Sequence, residues 1–262
     1  MNALAIVPAR VGSKGIPRKN FTPLAGSEGS GLASSPTGRA VWCAVLAGIE
    51  RIRISTDHAE TLENRGFGPS PEYRTIWAFR RPAHLAQDDT PMIAVVQHAL
   101  EQIQGPPDQI VVLLQPTQVL RTPAHVQRAI ALLEETSADS VVSVVELPQT
   151  HSPDLALAIR PIGDEDIGLT PWLKEHAVGP DWGQRRTRRQ AARPAYIADG
   201  TVYAFWRRTV TQYETIYGDW VVPMVMDPAE TCALDTPADW AEAERRLKER
   251  KERDADRAVA RG

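Results

Sequence analysis

The sequence contains few cysteines, no long apolar run and no large excess of either charge. Cys43 and Cys232 are its only cysteines, too few for a disulfide framework and without the spacing of a metal site. This low usage fits a reducing compartment, so we expect a cytoplasmic protein. No apolar run approaches the ~20 residues of a membrane-spanning helix. Residues 1–10 lack the basic start of a signal peptide, so we expect no export signal and no membrane partner.

The charge balance argues against nucleic acid as a partner. The 262 residues carry a formal net charge of -3, with 24% charged and 42% hydrophobic residues. That composition is ordinary for a globular protein and excludes disorder of the whole chain. Proteins that bind nucleic acid usually present a basic excess, often with interleaved aromatic residues. The basic run Arg185-Arg186-Thr187-Arg188-Arg189 contains no aromatic residue, so we expect no nucleic acid partner.

Hydrophobic patterning predicts alternating strands and helices up to residue 145. Short apolar runs predict buried strands, and apolar positions three to four residues apart predict helices. The predicted strands are residues 4–7, 52–55, 110–114 and 140–145, and the predicted helices are residues 39–50, residues 91–103 and one that begins at Thr122-Pro123. This alternation favours an α/β sheet with right-handed crossovers. The Gly- and Ser-rich residues 25–38 predict a loop, and residues 64–75 an irregular segment.

The pattern changes after residue 147. Residues 148–195 hold prolines, glycines and charges, and they predict an inserted lobe or a cover over the substrate. Residues 195–206 return to strand character, and Thr236-Pro237 predicts the start of a long charged helix. The predicted organisation is one domain over residues 1–247, with 148–195 as its insertion, followed by a charged helical tail over residues 248–262.

The loop after the first predicted strand combines glycines with several cations. Residues 5–20 read AIVPARVGSKGIPRKN. Glycines let backbone N–H groups approach an anion closely, and neighbouring cations neutralise its charge, which is what a triphosphate requires. The spacing matches neither the Walker A sequence nor the Rossmann fingerprint. The residues alone therefore leave two interpretations, a phosphate-binding loop or a solvent-exposed basic loop.

The same loop is the first of six segments that carry a family resemblance. Residues 9–20 match every fixed position of A-R-x-G-S-K-G-(I/L)-P-x-K-N. The later segments are S-T-D at 55–57, R-P-A-x-L-A-x-D-x-T-P at 81–91, L-L-Q-P-T at 113–117 with L-R at 120–121, D-G-T-V-Y at 199–203 and L-D-T-P at 234–237. In this order they resemble the signatures of the acylneuraminate cytidylyltransferase family, the CMP-sialic acid synthetases and their relatives. The resemblance covers about residues 3–247.

The resemblance implies a fold and a reaction. The fold is a Rossmann-like nucleotidyltransferase, a glycosyltransferase-A-like three-layer α/β sandwich, with a small dimerisation lobe around residues 148–195 that implies a homodimer. In the implied reaction, CTP and an acidic sugar give a CMP-sugar and pyrophosphate. The anomeric hydroxyl of the sugar attacks the α-phosphate while Mg²⁺ stabilises the developing charge. Such a reaction demands positioning and electrostatic stabilisation rather than a covalent nucleophile.

The resemblance also implies which residues hold the nucleotide. The loop resembles the family's triphosphate site, Asn20 lies at its ribose or phosphate contact, and residues 81–91 resemble the segment that reads cytosine. A solvated side chain for Lys14 and a surface ion pair for Arg81 are the alternatives. Arg10 and Lys19 are further implied to be catalytic, together with Asp235. The implied nucleotide-binding residues are Arg10, Gly12, Ser13, Lys14, Lys19, Asn20, Arg81, Asp88 and Thr90.

The acidic acceptor is implied to bind on the other side of the α-phosphate. Gln115 and Thr117 follow a buried strand, where α/β proteins bind ligands. The fork of an arginine suits a carboxylate because it donates two parallel hydrogen bonds. A satisfied buried amide for Gln115, and a solvated run for the arginines at 185–189, are the alternatives. The implied acceptor-binding residues are Gln115, Thr117, Arg189, Gln190, Asp199 and Tyr203.

The sequence departs from the family at its metal site. The family has D-x-D where this chain has Ala233-Leu234-Asp235, so the first carboxylate is missing. Mg²⁺ often takes only one or two protein carboxylates together with phosphates and water, so we expect Asp235 to bind it alone. The alternative is an acid near the N-cap of the following helix. On the acceptor side, Asp199 replaces the family's Asn, and Ile197 stands where sialic acid enzymes often present Arg.

The expected function is therefore an Mg²⁺-dependent cytidylyltransferase whose partners are CTP and a small acidic sugar of the nonulosonic or sialic acid type. The triphosphate loop is intact, whereas most departures lie on the sugar or metal side. Two alternatives stay open. One is a cytidylyltransferase for another acid, such as a phosphonate. The other is a nucleotide-binding homologue without catalysis, which the missing aspartate favours.

Overall fold

The protein alternates strands and helices over most of its length. The computed structural model describes residues 3–27, 31–63, 76–162, 166–173 and 192–259. The strands are β1 (Ala3–Ala9), β2 (Arg51–Thr56), β3 (Ile76–Arg80), β4 (Ile110–Leu113), β5 (Ser140–Glu146), β6 (Leu157–Ile162), β7 (Asp166–Pro171), β8 (Tyr196–Trp206) and β9 (Val221–Met226). The helices are α1 (Pro36–Leu46), α2 (Ala59–Glu63), α3 (Met92–Glu101), α4 (Pro123–Thr136), α5 (Arg207–Tyr213) and α6 (Pro237–Val259).

Seven strands form one mixed sheet in the order β3-β2-β1-β4-β8-β5-β9. Strand β1 is parallel to both of its neighbours, with Val7 opposite Ile54 of β2 and Ile6 opposite Leu113 of β4. Strand β8 is antiparallel to β4. Every residue of β1 is buried, which explains its unbroken apolar sequence because central parallel strands are covered on both faces. The predicted α/β class is confirmed.

Two predicted helix starts have identifiable caps. Thr122 caps α4, because its hydroxyl accepts from His125 N at 3.3 Å, and Pro123 follows in the first turn, as predicted. Helix α1 begins three residues before the predicted start at residue 39. The reason is that Ser35 caps it, accepting from Gly38 N at 3.1 Å, and Pro36 occupies the first turn. The loop predicted at residues 25–38 therefore ends before residue 36, where α1 begins.

Several elements lack a strong signal in the sequence. Strand β3 is only five residues long, and the segment predicted to be irregular before it, 64–75, lies outside the described residues. The hairpin of β6 and β7 lies inside the predicted lobe. Strand β9 places Met224 and Met226 in the core and carries Pro223, which fits its position at the sheet edge because proline cannot donate to a ladder.

The chain divides into two compact units. One comprises Met1–Ser143 with Asp199–Gly262, and the other comprises Val144–Ala198. The smaller unit contains the β6–β7 hairpin and a buried Asp154. The Asp154 carboxylate accepts a hydrogen bond from Arg193 Nη2 at 2.7 Å. Helix α6 continues without a break past residue 247, where the sequence predicted a tail to begin. No helix in the described part of the chain is long and apolar enough to cross a membrane.

Candidate active site

The carboxyl ends of β1 and β4 lie side by side where the sheet reverses its strand order. From β1 the chain adds β2 and β3 on one side, whereas β4 lies on the other side. Ligands of open α/β sheets bind outside the carboxyl ends of strands at such a point. The loop that follows β1, residues 10–20, and the segment that follows β4, residues 114–117, both begin here.

A cleft of about 420 Å³ opens at this position. It brings together most of the residues that the sequence predicted to be functional. Its lining includes four cationic and two carboxylate side chains, which gives it a net positive charge suited to a polyanion. The predicted residues that line it are Arg10, Ser13, Lys14, Lys19, Asn20, Arg81, Asp88, Gln115, Thr117 and Asp235. The other lining residues are Pro8, Gly15, Met92 and Pro116.

Asp88 holds two of the cations of the loop. Arg10 Nη2 lies 2.6 Å from Asp88 Oδ1, and Lys14 Nζ lies 2.8 Å from Asp88 Oδ2. The hydrogen bond from Lys14, followed by that from Arg10, lowers the pKa of Asp88 below its ordinary value. In return, Asp88 raises the pKa of Lys14. The Lys14 side chain is 84% exposed, yet its ammonium group is ion-paired. The Asp88 carboxylate is therefore paired with two cations that a triphosphate would need.

Lys19 joins the loop to the segment before α6. Its Nζ donates to the backbone O of Leu234 at 2.5 Å and lies 3.2 Å from Asp235 Oδ1. The loop backbone packs on the same segment, because a Cβ added at Gly15 would come closer than 3.0 Å to the backbone O of Asp235. Only glycine leaves room for that approach. The loop and Asp235 thus form one wall of the cleft.

Asn20 has a buried acceptor without a donor. The residue is 5% exposed, and its Nδ2 donates to the backbone O of Arg10 at 2.9 Å, which sets the orientation of the amide. Its Oδ1 has no hydrogen-bond partner among the described residues. A buried acceptor left unpaired costs about 1–3 kcal/mol, so a ligand that donates a hydrogen bond here would recover that energy.

Arg81 is a buried cation, and its predicted alternative, a surface ion pair, is wrong. It is 5% exposed, and its guanidinium donates to Ser55, from Nε to Oγ at 3.1 Å and from Nη2 to the backbone O at 2.8 Å. Burial lowers the pKa of Arg81 to about 10, and Asp57 partly offsets this. Arg81 is therefore protonated at neutral pH and forms a fixed, charged part of the cleft.

Gln115 and Thr117 follow β4 in an extended turn. Arg121 Nη2 donates to the backbone O of Gln115 at 2.6 Å, and Thr117 O accepts from Leu234 N at 3.1 Å. The Gln115 side chain lies against Gly200, which has φ +79° and where a Cβ would collide with Gln115 Oε1. Its positive φ is what favours glycine at position 200, because the amide end of Gln115 is flexible enough to move away from a Cβ.

Two of the predicted nucleotide-binding residues do not line the cleft as the structure describes it. Gly12 lies in the loop with nothing within 4 Å of a Cβ added to it. Thr90 is not among the lining residues, and its Oγ1 donates to the backbone O of His84 at 3.2 Å.

Of the predicted acceptor-binding residues, Asp199 and Tyr203 lie apart from the cleft that Gln115 and Thr117 line. The Asp199 carboxylate accepts from Thr201 N at 3.1 Å and from Thr201 Oγ1, so it is used in a local turn. Tyr203 is buried in β8, and burial raises its pKa to about 12. Neither lines the described cleft. Arg189 and Gln190 lie outside the described residues.

The donor set for a metal is small. No group of three or more His, Cys, Asp or Glu side chains is arranged around a common point among the described residues. The Asp235 carboxylate lines the cleft and is 73% exposed, so it is free to take a ligand besides Lys19. It does not cap α6, because Thr236 Oγ1 accepts from Asp239 N at 3.3 Å instead. One exposed carboxylate at the edge of a cleft lined by cations fits Mg²⁺ that takes its other ligands from phosphates and water.

Sequence reasoning gave no role to several residues that shape the cleft. Ser55, the partner of Arg81, and Asp57, which accepts from Val11 N at 2.8 Å, both belong to the S-T-D segment. That segment was a usable signal. Met92 lines the cleft from the first turn of α3, and no pattern in the sequence marks it.

The fold is shared with a solved nucleotidyltransferase. The structure is similar to a solved CMP:2-keto-3-deoxy-manno-octonic acid synthetase in complex with CTP, with a TM-score of 0.60 over 95% of this chain and 99% of that chain. The sequences are only 14% identical, so this likeness concerns the fold. It confirms the predicted nucleotidyltransferase fold.

The chain belongs to the cytidylyltransferase family, whose model matches residues 4–165. It is 27% identical to the CMP-N,N'-diacetyllegionaminic acid synthase of Legionella pneumophila, over 94% of this chain and 96% of that protein. It is 26% identical to an N-acylneuraminate cytidylyltransferase of Streptococcus agalactiae serotype V over 83% of this chain. That alignment spans 46% of the streptococcal protein, about half its length. The predicted resemblance and the predicted enzyme class are confirmed.

Proposed function

We propose that the protein transfers CMP from CTP to an acidic sugar and releases pyrophosphate. The observation that carries the proposal is the convergence of Arg10, Lys14 and Lys19 in one cleft at the switch point of the sheet. A triphosphate is the ligand whose charge and length match several cations on one loop. The named activities of the relatives in Legionella and Streptococcus support the same reaction class.

The loop cations would act on the phosphates. The sugar hydroxyl attacks the α-phosphate, and negative charge grows on the phosphate oxygens and on the departing pyrophosphate. Lys19 belongs to the loop and lies beside Asp235, so it connects the loop to the proposed metal ligand. Arg10 and Lys14 would exchange Asp88 for phosphate oxygens when CTP binds, because both cations are already held by a carboxylate. Stabilisation that strengthens in the transition state raises kcat.

The unpaired Oδ1 of Asn20 supports a ribose contact over a phosphate contact. This atom can only accept a hydrogen bond, and phosphate oxygens cannot donate one at neutral pH. A ribose hydroxyl can donate. Asn20 would therefore select the sugar of the nucleotide while its Nδ2 continues to hold the Arg10 carbonyl.

Arg81 is proposed to form part of the base pocket. Its guanidinium is buried, and its hydrogen bonds to Ser55 fix its orientation. Recognition of a pyrimidine requires donors that are fixed in this way. We expect CTP to be preferred over ATP, GTP and UTP. Thermal-shift titration measures this preference, because a ligand that binds only the folded state stabilises it. Equal shifts with all four nucleotides would contradict a cytosine pocket.

Mg²⁺ is proposed to bind between Asp235 and the phosphates. When bound, it would supply Lewis-acid stabilisation of the phosphate charge. With a single carboxylate, the site should take the metal mainly together with CTP and poorly without it. Isothermal titration of Mg²⁺ in the absence and presence of CTP measures this difference.

The acceptor is proposed to be a nonulosonic or sialic-acid-like sugar. Gln115 and Thr117 would contact it at the end of β4, and the run that includes Arg189 and Gln190 would receive its carboxylate. A phosphonate or another acid is the alternative acceptor, supported by the departures at Ile197 and Asp199. Pyrophosphate release from CTP and Mg²⁺ with a panel of nonulosonic acids and phosphonates tests the proposal directly.

A nucleotide-binding homologue without catalysis is the second candidate function. The specific observation in its favour is Ala233 in place of an acid. CTP-specific stabilisation together with no pyrophosphate release for any acid in the panel would support this second candidate. Release with one class of acid would exclude it and identify the acceptor class in the same assay.

The β6–β7 hairpin supports a homodimer. Opposite residues of an antiparallel pair lie on the same face, and Leu157, Ile159, Ile167 and Leu169 all belong to pairs on one face. All four are exposed, Ile159 by 72% and Ile167 by 74%. A contiguous exposed apolar face of this kind is typical of an interface. We propose that a second copy of the chain covers it.

A further inference from the structure

We propose that His58 is a positioning residue for the loop of residues 10–20. It holds Arg18 in a conformation that aims Lys19 and Asn20 into the cleft. The inference rests on the proposed role of this loop in binding CTP. His58 follows β2 and is not among the residues that line the described cleft, so any effect it has on the nucleotide passes through the loop.

Arg18 adopts a backbone conformation that disfavours side chains. Its φ of 53° lies in the left-handed region, where a Cβ is crowded. The Arg18 carbonyl accepts from Phe21 N at 2.9 Å and from Thr22 N at 3.2 Å, so the chain reverses at the point where Lys19 and Asn20 enter the cleft. A residue other than glycine stays in this region only when its surroundings hold it there.

The side chain of His58 provides that hold. Arg18 Nη2 lies 2.9 Å from His58 Nε2, and a guanidinium can only donate, so Nε2 is the unprotonated acceptor. In a neutral imidazole the proton then sits on Nδ1, which donates to Thr61 Oγ1 at 2.8 Å. Both ring nitrogens are thereby satisfied by one tautomer.

His58 is itself fixed from two sides. It is 7% exposed and stacks on Phe21 of the loop, with ring centroids 4.1 Å apart and an interplanar angle of 14°. Its backbone N donates to Thr56 Oγ1 at 3.0 Å at the end of β2. Its neighbour Asp57 accepts from Val11 N at 2.8 Å. The residues after β2 therefore hold the loop at both of its ends.

Protonation of His58 would break the contact with Arg18. An imidazolium has a donor on each nitrogen and would face the Arg18 guanidinium as a second positive charge. Burial lowers the pKa of His58 below its ordinary value of 6.5, and Arg18 lowers it further, whereas Glu60 and Asp57 raise it. The contact is thus present at neutral pH and lost as the pH falls through this lowered pKa.

The test compares the Kd of CTP with Mg²⁺, and kcat/KM for CTP, in the full-length wild type and variants. His58→Phe keeps a ring on Phe21 but offers no acceptor, and we expect roughly tenfold weaker binding and turnover from the displaced loop. His58→Gln offers Arg18 a neutral acceptor and should restore most of the affinity. Arg18→Gly adopts a positive φ unaided, so His58→Phe should have no further effect in that background.

The pH dependence of the affinity for CTP distinguishes this role of His58 from a purely structural one. The wild type should lose affinity for CTP on the acid side of neutrality, and His58→Gln should lack that loss. Wild-type affinity in His58→Phe, additive losses in the Arg18→Gly background, or an equal acid loss in His58→Gln would each overturn the positioning role. If the wild type binds no CTP, the proposed function fails and this role falls with it. Wild-type binding with unchanged variants refutes this role alone.

Discussion

Gly15→Ala is expected to disable catalysis while it leaves the fold intact. A Cβ at this position would come closer than 3.0 Å to the backbone O of Asp235, where an ordinary contact begins at 3.4 Å. The neighbour is backbone rather than a flexible side chain, so the loop and Asp235 must separate, by about 1 Å on the close-packing argument. Misplacement of reacting groups by that distance costs about 100-fold in rate. We therefore expect kcat/KM for CTP to fall about 100-fold.

The stability of Gly15→Ala should change little, because the loop is exposed and can yield. We expect a loss below about 1 kcal/mol, which corresponds to a shift in Tm of less than roughly 4 °C. Gly12→Ala is the matched comparison, since it adds the same methyl group to the same loop with nothing within 4 Å. Pyrophosphate release and thermal unfolding are measured for both. An equal loss of kcat/KM in the two variants, or normal turnover in Gly15→Ala, would refute the steric reasoning.

Four further substitutions probe the cleft and the hairpin. Lys19→Ala should lower kcat/KM for CTP at least tenfold, because it removes a charge that stabilises the phosphates in the transition state. It should also lower Tm slightly, since the contacts of Lys19 with Leu234 O and Asp235 are lost; normal turnover would contradict its role. Asp88→Asn should lower the Kd of CTP, because the carboxylate competes with phosphate for Arg10 and Lys14; a raised Kd would instead indicate that Asp88 contacts the nucleotide. Ala233→Asp should lower the Mg²⁺ concentration for half-maximal rate, because residues 233 and 235 are exposed on either side of the buried Leu234. Ile167→Asp should convert a dimer to a monomer in light scattering; a wild type that is already monomeric would exclude the proposed interface.

The sequence predicted the local features of the fold and the site. The unbroken apolar run of β1 predicts a strand buried on both faces, because only such a position removes every side chain from water. Thr122 followed by Pro123 predicts a helix start, because both residues satisfy needs of the first turn. The loop of residues 10–20 could be singled out because glycines and cations at close spacing have few structural uses other than binding an anion.

Contacts between distant segments could not be read in the same way. Asp88 lies 78 positions after Arg10, and the sequence placed it with the base rather than with the loop cations. The sequence allows Arg81 to be a surface residue, whereas in the folded chain it is buried against Ser55. Hairpin pairing and the edge position of β9 also depend on partners elsewhere in the chain, since short strands gain their stability from neighbours rather than from propensity.

The residue types along the chain thus predict which positions have the chemistry for a nucleotide and in which order they occur. Which of these residues meet depends on how the chain folds. Lys19 and Asp235 are separated by 216 positions, and they lie 3.2 Å apart because α6 begins beside the loop. Asp199 and Tyr203 belong to the segment that precedes Asp235 in the family's order, yet a local turn and the core of β8 hold their side chains away from the described cleft. Motif spacing gives only chain order, whereas side-chain contact depends on the packing of strands and loops that are remote in sequence.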